Sequence, residues 1–409
     1  MQTLDVEIRP YPYPYKAMLA VCSDLDQTPD RACYERIMRF CNTTAPTAMG
    51  DGVGLEVGNS IYFNMPADQF AYWTTDDRGR AMVRALIRSG HVDTLHSFGD
   101  RAQTRVEAGV ALDELTRHDC RLAVWVDHAT APTNFGADIM AGHGDEVGHE
   151  AYHADLTWQY GIRFVWRGRV TSIIGQDTPP HLGGVWSPRR PVASTATVAR
   201  EAVKLVVGRL GHPKYAMHGP NHVMRPARLR DGTAVMEFMR SNPHAGGVSC
   251  GETGKRLAEV LTYRMLRRLI DREGVCLLYT HLGKGLSLAE PLPPASVNAL
   301  RRLRAAQDAG DVLVATTRRV LDYLAMRRAV DVAVRRPGWA MRIDVRLGAG
   351  RVGAVPPAGL TVYVPPAEAD TAELYVNDTR IDEARRHPPD HTGRPSLSIP
   401  WKRLEFPSW

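Results

Sequence analysis

The sequence predicts an α/β fold whose buried strands carry one polar site at their carboxyl ends, followed by a small antiparallel β module. Three observations predict it. Strand-like apolar runs alternate with segments of helical periodicity over most of the chain. Several of those runs end directly in an aspartate or a histidine. After Pro337 the apolar residues alternate with polar ones, which is typical of antiparallel strands.

The strand and helix signals of the first half follow one another in order. A buried strand is expected at residues 17–22, after a proline-rich lead-in. Asp30 is an expected helix N-cap, and Gly90 is expected to stop a helix. The further elements expected up to residue 126 are helices at 30–40, 78–89 and 104–118, a turn-rich strand pair at 54–63 and a strand at 122–126.

Residues 130–250 are rich in glycine, proline and histidine, and we interpret them as a large insertion that forms lids and substrate walls. Strand-like pieces occur inside it. Regular elements return after it: helices at 252–272, 297–309 and 316–329, and strands at 275–280 and 312–315. We therefore expect a (β/α) domain at residues 1–335 with an insertion at 130–250.

The remaining residues, 336–409, are expected to form the antiparallel β module. Their alternating segments predict strands at 341–347, 360–364 and 372–376. Asn377 and Asp378 follow the last of these, and both residue types favour turns.

The bulk composition is that of an ordinary globular protein of 409 residues, 44% hydrophobic and 23% charged. No apolar run approaches the roughly 20 residues that cross a bilayer. The N-terminus is charged and lacks an apolar secretory core. These features predict no membrane span and a cytoplasmic location. The 6 cysteines form no CxxC pair, which argues against a zinc ribbon or a disulfide framework.

The net charge of +6 has two interpretations. The simpler interpretation is a solvated basic surface. The more specific interpretation is that the protein binds an anionic substrate. No zinc finger, basic heptad or aromatic RNA-binding motif is present, so nucleic acid is not an expected partner. The oligomeric state stays open.

The first candidate site residues lie after the strand at 17–22 and after the helix that stops at Gly90. Asp24 and Asp26 follow the strand, where a surface turn is the alternative explanation. His96 and Asp100 would stack one turn apart if a helix began at Ser97, and that spacing suits two ligands of one metal ion. Singly, these residues are ordinary polar positions; together they indicate a metal site.

His281 leaves the apolar strand 275–280 and enters a loop that contains Gly283 and Gly285. A histidine in this place can turn into a pocket, although a histidine that merely ends a strand is the alternative. Asp127 and His128 end the strand 122–126 in the same way. Aspartate and histidine together suit a divalent metal, a general base and a general acid.

These segments together resemble the polysaccharide deacetylases of the NodB-homology type (carbohydrate esterase family 4), over roughly residues 15–330. The family's first motif resembles Val21-Cys-Ser-Asp24-Leu-Asp26, and its second resembles Gly90-His91-Val-Asp-Thr-Leu-His96-Ser-Phe-Gly-Asp100. Its fifth motif resembles Leu278-Tyr-Thr-His281. The resemblance implies a distorted (β/α)7 barrel with a large insertion.

The chain also departs from the family pattern. The family's adjacent aspartates are separated here by Leu25, and Asp100 stands where the second motif ends in histidine. The Arg-Pro element of the third motif is absent. Asp127, His128 and Asn134 lie at about its place. The fourth motif has no clear counterpart.

What the resemblance implies is metal-dependent removal of an N-acyl group, expected to be acetyl, from an amino sugar, a polysaccharide or a glycan precursor. Its metal ligands would be Asp26, His96 and Asp100. Asp24 would be the base, and His281 would protonate the leaving amine. The ion is expected to be Zn²⁺, with Mn²⁺, Co²⁺ or Ni²⁺ as alternatives.

Further catalytic and substrate-binding residues are expected around that centre. Asp127 and His128 would orient groups or stabilise the oxyanion. The aromatic side chains could stack on sugar faces, although most such residues are core anchors. The residues expected to bind the acylated amino sugar are His91, Asn134, Tyr152, His153 and Trp158.

Two alternative functions stay open on the sequence. His149-Glu150-Ala-Tyr-His153 matches HExxH, in which two histidines one helical turn apart bind zinc and the glutamate is the base of a metalloprotease. No third-ligand motif follows it. The missing Arg-Pro element motivates the other alternative, a non-catalytic carbohydrate-binding protein with a decayed site.

Overall fold

The structure is a computed structural model that describes residues 6–336, 341–347 and 357–409. Its helices and strands are numbered in chain order. The α-helices are α1 (Arg31–Asn42), α2 (Asp77–Arg88), α3 (Arg105–Arg117), α4 (Ala154–Tyr160), α5 (Pro191–Arg209), α6 (Leu257–Val260), α7 (Tyr263–Asp271), α8 (Pro294–Asp308) and α9 (Thr317–Arg328). The strands are β1 (Glu7–Ile8), β2 (Ala17–Ser23), β3 (Pro46–Thr47), β4 (Gly50–Asp51), β5 (Gly58–Ile61), β6 (Val92–His96), β7 (Val124–Val126), β8 (Phe164–Trp166), β9 (Val170–Thr171), β10 (Met224–Arg228), β11 (Ala234–Phe238), β12 (Arg240–Ser241), β13 (Val275–Thr280), β14 (Val312–Val314), β15 (Val330–Arg335), β16 (Arg342–Leu347), β17 (Thr361–Tyr363), β18 (Glu373–Val376), β19 (Thr379–Arg380), β20 (Arg385–His387) and β21 (Ser396–Ser398).

Two compact units make up the chain. The site unit contains Leu19–Ala306, Val314–Arg318 and Leu404–Trp409. The terminal unit contains Met1–Met18, Gln307–Leu313 and Arg319–Arg403. Neither unit is one continuous stretch, and the boundary expected at residue 335 falls inside the terminal unit.

An eleven-stranded sheet organises the larger part of the fold. Ten strands follow one path in the order β10-β11-β8-β7-β6-β5-β2-β13-β12-β9, and β14 pairs with β2. The pairs from β11 to β2 are parallel, as are β13 with β12 and β12 with β9; β10 is an antiparallel edge strand. The α/β class expected from the sequence is confirmed. The sheet is curled but open, so a closed barrel is not present.

Two short connections join strands at opposite ends of that path. Residues 167–169 lead from β8 to β9, and Met239 leads from β11 to β12. Because β8 and β11 lie toward one end of the path and β9 and β12 at the other, these connections span the opening of the curled sheet. The hydrogen-bond ladder is interrupted there although the chain is continuous.

The segment 130–250 differs from its interpretation as an insertion of lids and walls. It supplies β8, β9, β10, β11 and β12 to the main sheet. Its strands are only 2 to 5 residues long, so the hydrophobic pattern of each is short. Long-range pairing with β7 and β13, rather than local pattern, makes them strands.

Local sequence explains the helices that flank the sheet. Asp30 caps α1 by accepting a hydrogen bond from the Cys33 amide, as expected. Thr104 and Glu107 form a reciprocal capping box at the start of α3. All residues of β2 and β6 are buried, which is typical of parallel strands covered on both faces. In the part of the chain that the structure describes, no helix is both long and apolar enough to cross a membrane.

The terminal unit contains two four-stranded sheets. One is antiparallel throughout, with the order β1-β17-β21-β20. The other has the order β15-β16-β18-β19 and includes one parallel pair, β16 with β18. The expected strands at 341–347, 360–364 and 372–376 correspond to β16, β17 and β18. Asn377 and Asp378 adopt left-handed φ angles of 47° and 64°, as a tight turn between β18 and β19 requires.

Candidate functional site

Polar residues from the carboxyl ends of four strands of the main sheet meet in the site unit. Asp24 and Asp26 follow β2, His96 ends β6, His128 follows β7, and His281 follows β13. All five line one cavity of about 210 Å³. Parallel strands bring their carboxyl ends to the same edge of a sheet, which is why residues so distant in sequence converge.

Asp26 lies at the centre of this group. Its Oδ1 is 2.5 Å from His128 Nε2, and its Oδ2 is 3.7 Å from His96 Nδ1 and 3.4 Å from His281 Nε2. The donor atoms of Asp26, His96 and His128 lie within 4.8 Å of one another, and so do those of Asp24, Asp26 and His281. Asp26 Oδ2 is buried and has no hydrogen-bond partner among the described residues.

One carboxylate and two imidazoles fit a divalent metal ion. Catalytic zinc sites commonly use three protein ligands and leave a position for water. The Oδ2 atom of Asp26 is a buried acceptor whose lone pairs a cation would satisfy. Asp26, His96 and His128 are therefore the residues of this site that could hold such an ion.

The pKa values of the two candidate imidazole ligands shift in opposite directions. Burial lowers the pKa of His96 to about 4, so this ring is neutral near pH 7. Burial would also lower the pKa of His128, but its contacts with Asp100 and Asp26 outweigh that effect and raise the pKa to about 10. Burial opposes ionisation of Asp26, yet the surrounding His96, His128 and His281 hold its pKa well below the usual range.

Arg240 contacts Asp24 inside the same unit. Its Nη1 is 2.5 Å from Asp24 Oδ2 and its Nη2 is 3.1 Å from Asp24 Oδ1. The side chains are 0% and 2% exposed, and the guanidinium also lies over the ring of Trp166. A buried arginine with a planar two-point contact fixes the orientation of the carboxylate. This partner was not predicted, although Arg240 follows the apolar pair Phe238-Met239 at the start of β12.

The structure differs from the expected set of metal ligands at Asp100. Asp100 lies outside the cluster of close donor atoms, and its side chain is 42% exposed. Its Oδ1 is 2.7 Å from His128 Nδ1, an ion pair that lacks the direction of a good hydrogen bond. The expected helix after His96 does not form, because Ser97 and Gly99 have φ angles of 50° and 98°. His128 occupies the place that the sequence assigned to Asp100.

His281 is held by the loop that contains Glu252. Its backbone amide donates to the Glu252 carbonyl at 2.6 Å, and its Nδ1 lies 3.3 Å from the same oxygen. This leaves Nε2 directed at the cavity, 3.4 Å from both the Tyr279 hydroxyl and Asp26 Oδ2. The ring is thus placed to exchange a proton with a molecule in the cavity.

Asp127 and Asn134 lie behind the cavity rather than on its surface. The Asp127 carboxylate accepts hydrogen bonds from the indole of Trp125 at 2.8 Å and the amide of Phe135 at 2.9 Å. Burial raises its pKa to about 7. Asn134 accepts from the His128 amide and donates to the His128 carbonyl, both at 2.9 Å. Both residues position the His128 loop, which corrects the substrate-binding role expected for Asn134.

Three other expected substrate residues do not line the cavity. His91 precedes β6, at the opposite end of that strand from His96, and its Nδ1 is 2.9 Å from the Ser89 hydroxyl. The Tyr152 hydroxyl donates to Asp231 at 3.2 Å. Trp158 packs beneath the guanidinium of Arg163. The structure therefore does not bring these three residues to the cavity around Asp26.

The HExxH segment lacks the geometry of a zinc protease. His149 and Glu150 lie in turns before α4, and His153 is the N-cap of that helix, so the two histidines do not share a helical face. The buried ring of His153 has both nitrogens engaged, with the Thr157 hydroxyl at 2.7 Å and the Thr133 carbonyl at 2.8 Å. His149 stacks on His143. His153 is therefore neither a ligand here nor part of the cavity.

Comparison with known proteins identifies no relative of this chain. No family model, no curated protein and no solved structure matches it. The resemblance to the polysaccharide deacetylases stays a prediction that rests on the motifs themselves.

Proposed function

We propose that this protein is a metal-dependent hydrolase that removes an N-acyl group, acetyl in the simplest case, from an amino sugar, a polysaccharide or a glycan precursor. One observation carries the proposal. Two imidazoles and a carboxylate converge on one cavity together with a second carboxylate, Asp24, and a third imidazole, His281. That set would supply metal ligands, a base and an acid, which metal-dependent amide hydrolysis requires.

The metal ion would be held by Asp26, His96 and His128. When bound, a divalent ion lowers the pKa of a water molecule from about 15.7 towards about 7 and polarises an acyl oxygen. His128 is protonated near neutral pH beside Asp26, so ion binding would release that proton. The donor set suits Zn²⁺ and also admits Mn²⁺, Co²⁺ or Ni²⁺.

Asp24 would accept the proton of the attacking water. Arg240 contacts both carboxylate oxygens, so the carboxylate cannot rotate freely. Burial would lower the pKa of Arg240, but the charge of Asp24 outweighs it and the pKa is raised, so the guanidinium stays cationic. A fixed base contributes to catalysis by orientation as well as by proton affinity.

His281 would donate a proton to the leaving amine. The water oxygen bonds to the acyl carbon, the C–N bond breaks, and the departing nitrogen takes its proton from His281 Nε2. That atom faces the cavity because Nδ1 is occupied by the Glu252 carbonyl. The products are a carboxylic acid and a free amine.

The open sheet fits a divergent form of the family's distorted barrel. The sheet has eleven strands among the described residues, and the (β/α)7 arrangement stays a prediction from the resemblance. The decayed-site alternative was motivated by the missing Arg-Pro element, and Asp24 nevertheless has a buried arginine partner.

The proposal is tested by acetate release from N-acetylglucosamine oligomers. Protein stripped with a chelator is assayed alone and after addition of Zn²⁺, Mn²⁺, Co²⁺ or Ni²⁺. We expect metal-dependent turnover that falls by about 100- to 10,000-fold in His281→Ala, the usual worth of a general acid. Asp231→Asn, whose carboxylate contacts Tyr152 outside the cavity, is the matched control.

Two results would contradict the proposal. One is full activity of His281→Ala with the metal bound, which would remove the assigned acid. The other is the absence of hydrolysis with every ion across acetylated amino sugars and glycans, although the protein binds one ion per chain.

A further inference from the structure

A second cavity in the site unit has a strongly basic lining. Its volume is about 400 Å³, roughly twice that of the cavity around Asp26. Asp138 is the one acidic residue that lines it. The basic side chains that line it are Arg167, Arg169, Lys214, Arg225 and Arg228.

A single buried carboxylate organises three of these arginines. Glu237 is 0% exposed. Its Oε1 is 3.1 Å from Arg167 Nη2 and 3.5 Å from Arg169 Nε, and its Oε2 is 2.9 Å from Arg225 Nη2. Arg169 also pairs with Asp138 at 2.9 Å. Three guanidinium groups thus share two carboxylates. The three arginines therefore keep an excess of positive charge at the lining of the cavity.

Of the other two cations at this cavity, Arg228 is exposed and Lys214 is half-buried. Lys214 lies in a short turn after Pro213, and Arg228 ends β10. Within the described residues, neither pairs with a carboxylate; Arg228 donates instead to the Gly232 carbonyl. Their positive charges add to the excess positive charge of Arg167, Arg169 and Arg225. A concave surface that carries one sign of charge concentrates counter-ions.

One segment of the chain borders both cavities. Met140 lines the cavity around Asp26, and Ala137 and Asp138 line the basic one. The segment packs closely on the connection after β8, since a Cβ on Gly168 would lie 2.5 Å from Ile139. On the same connection, the Arg169 carbonyl accepts from the amide of Arg240, the residue that holds Asp24.

We propose that the basic cavity binds the phosphate or diphosphate group of a small molecule. Guanidinium forks match the geometry of phosphate oxygens, and an ammonium group adds a point charge. The volume lies in the range of small-ligand sites, about 300–1,000 Å³. Free inorganic phosphate and a phosphorylated sugar share this chemistry. The anion site does not depend on the proposed hydrolysis, because binding needs neither the metal nor turnover.

Calorimetric titration of chelator-stripped protein tests the site, since no metal is then present to coordinate the anion. The probes are inorganic phosphate, inorganic diphosphate and N-acetylglucosamine 1-phosphate. We expect saturable 1:1 binding that weakens at least tenfold in Lys214→Ala/Arg228→Ala. Arg228 is exposed and Lys214 is only half-buried, and neither pairs with a carboxylate within the described residues, so the variant should retain the wild-type melting temperature. Ala137→Glu, which places a carboxylate at the cavity, should weaken binding similarly.

The matched control is Arg264→Ala, which removes an exposed arginine that does not line the cavity. Its affinity should equal that of the wild type. Tighter binding of the sugar phosphate would identify a phosphorylated sugar as ligand, and equal affinities would identify the free anion; either supports the site. Absence of saturable binding, or wild-type affinity in both cavity variants, would overturn the proposal.

Discussion

Both terminal nitrogens of Arg240 contact the carboxylate of Asp24, although 216 residues separate the two in the chain. Each member compensates the charge of the other, and both side chains are almost fully buried. Removal of one partner from such a pair leaves an unpaired buried charge, which costs about 3–5 kcal/mol. The pair therefore both stabilises the fold and fixes the position of the Asp24 carboxylate in the candidate site.

This pairing predicts that Asp24→Asn and Arg240→Met each lower the free energy of unfolding by about 3–5 kcal/mol. The double variant should lose clearly less than the sum of the two, because it leaves no unpaired charge. Urea denaturation of the three variants and the wild type measures this coupling. Additive losses would show that the two residues do not stabilise each other.

The assignment of His128 in place of Asp100 predicts different metal affinities for two variants. His128→Ala removes a proposed ligand, so the purified protein should not retain a stoichiometric ion. Asp100→Asn removes only a partner of the ligand, and such changes weaken affinity by about 10- to 100-fold. Competition with a chromophoric chelator measures both. His149→Ala is the control, and a larger loss in Asp100→Asn than in His128→Ala would restore the ligand set expected from the sequence.

The turn conformation of the HExxH segment predicts that Glu150 has no catalytic role. Glu150 is exposed, and it lies in a turn rather than on a helix shared by two histidine ligands. Glu150→Gln should therefore retain its metal content and any hydrolytic activity of the wild type. Metal analysis and assays on casein and on acetylated amino sugars check this. If the wild type cleaves casein and Glu150→Gln does not, the zinc protease would be the better explanation.

The buried carboxylate of Asp93 predicts a pH dependence of stability. Burial raises its pKa from the ordinary value of 3.8 to about 6, although it accepts a hydrogen bond from the Arg318 amide at 2.7 Å. The folded state then binds this proton more tightly than the unfolded state. Stability contributed by the protonated form is complete below pH 4 and is lost as the pH rises to about 6. This difference between the folded and unfolded pKa values corresponds to roughly 3 kcal/mol.

Asp93→Asn removes this titration and keeps an oxygen acceptor for the Arg318 amide. Between pH 4 and pH 6 its free energy of unfolding should fall by roughly 3 kcal/mol less than that of the wild type. Urea denaturation at several pH values across this range gives the comparison. Parallel curves for the two proteins would show that Asp93 is ionised equally in the folded and unfolded states.

The sequence determined features that depend on neighbouring residues. Apolar runs that lead into Asp24, His128 or His281 predicted buried strands with a polar site at their carboxyl ends, and His96 was expected at the same site after the helix that stops at Gly90. Those residues do line one cavity. Asp30 as an N-cap and the turn at Asn377 were predictable for the same reason, because each follows from the conformational preference of a residue and its nearest neighbours.

Only the tertiary structure decided which distant residues meet. Strand-like pieces in the sequence correspond to β8 and β9, but β10, β11 and β12 were not expected, and pairing with β8 and β13 makes them part of the sheet. The same pairing brings Arg240 to Asp24. The backbone after His96 turns at Ser97 instead of forming a helix, so Asp100 moves outward and His128 faces Asp26. Such contacts depend on the packing of the whole sheet, which no local pattern encodes.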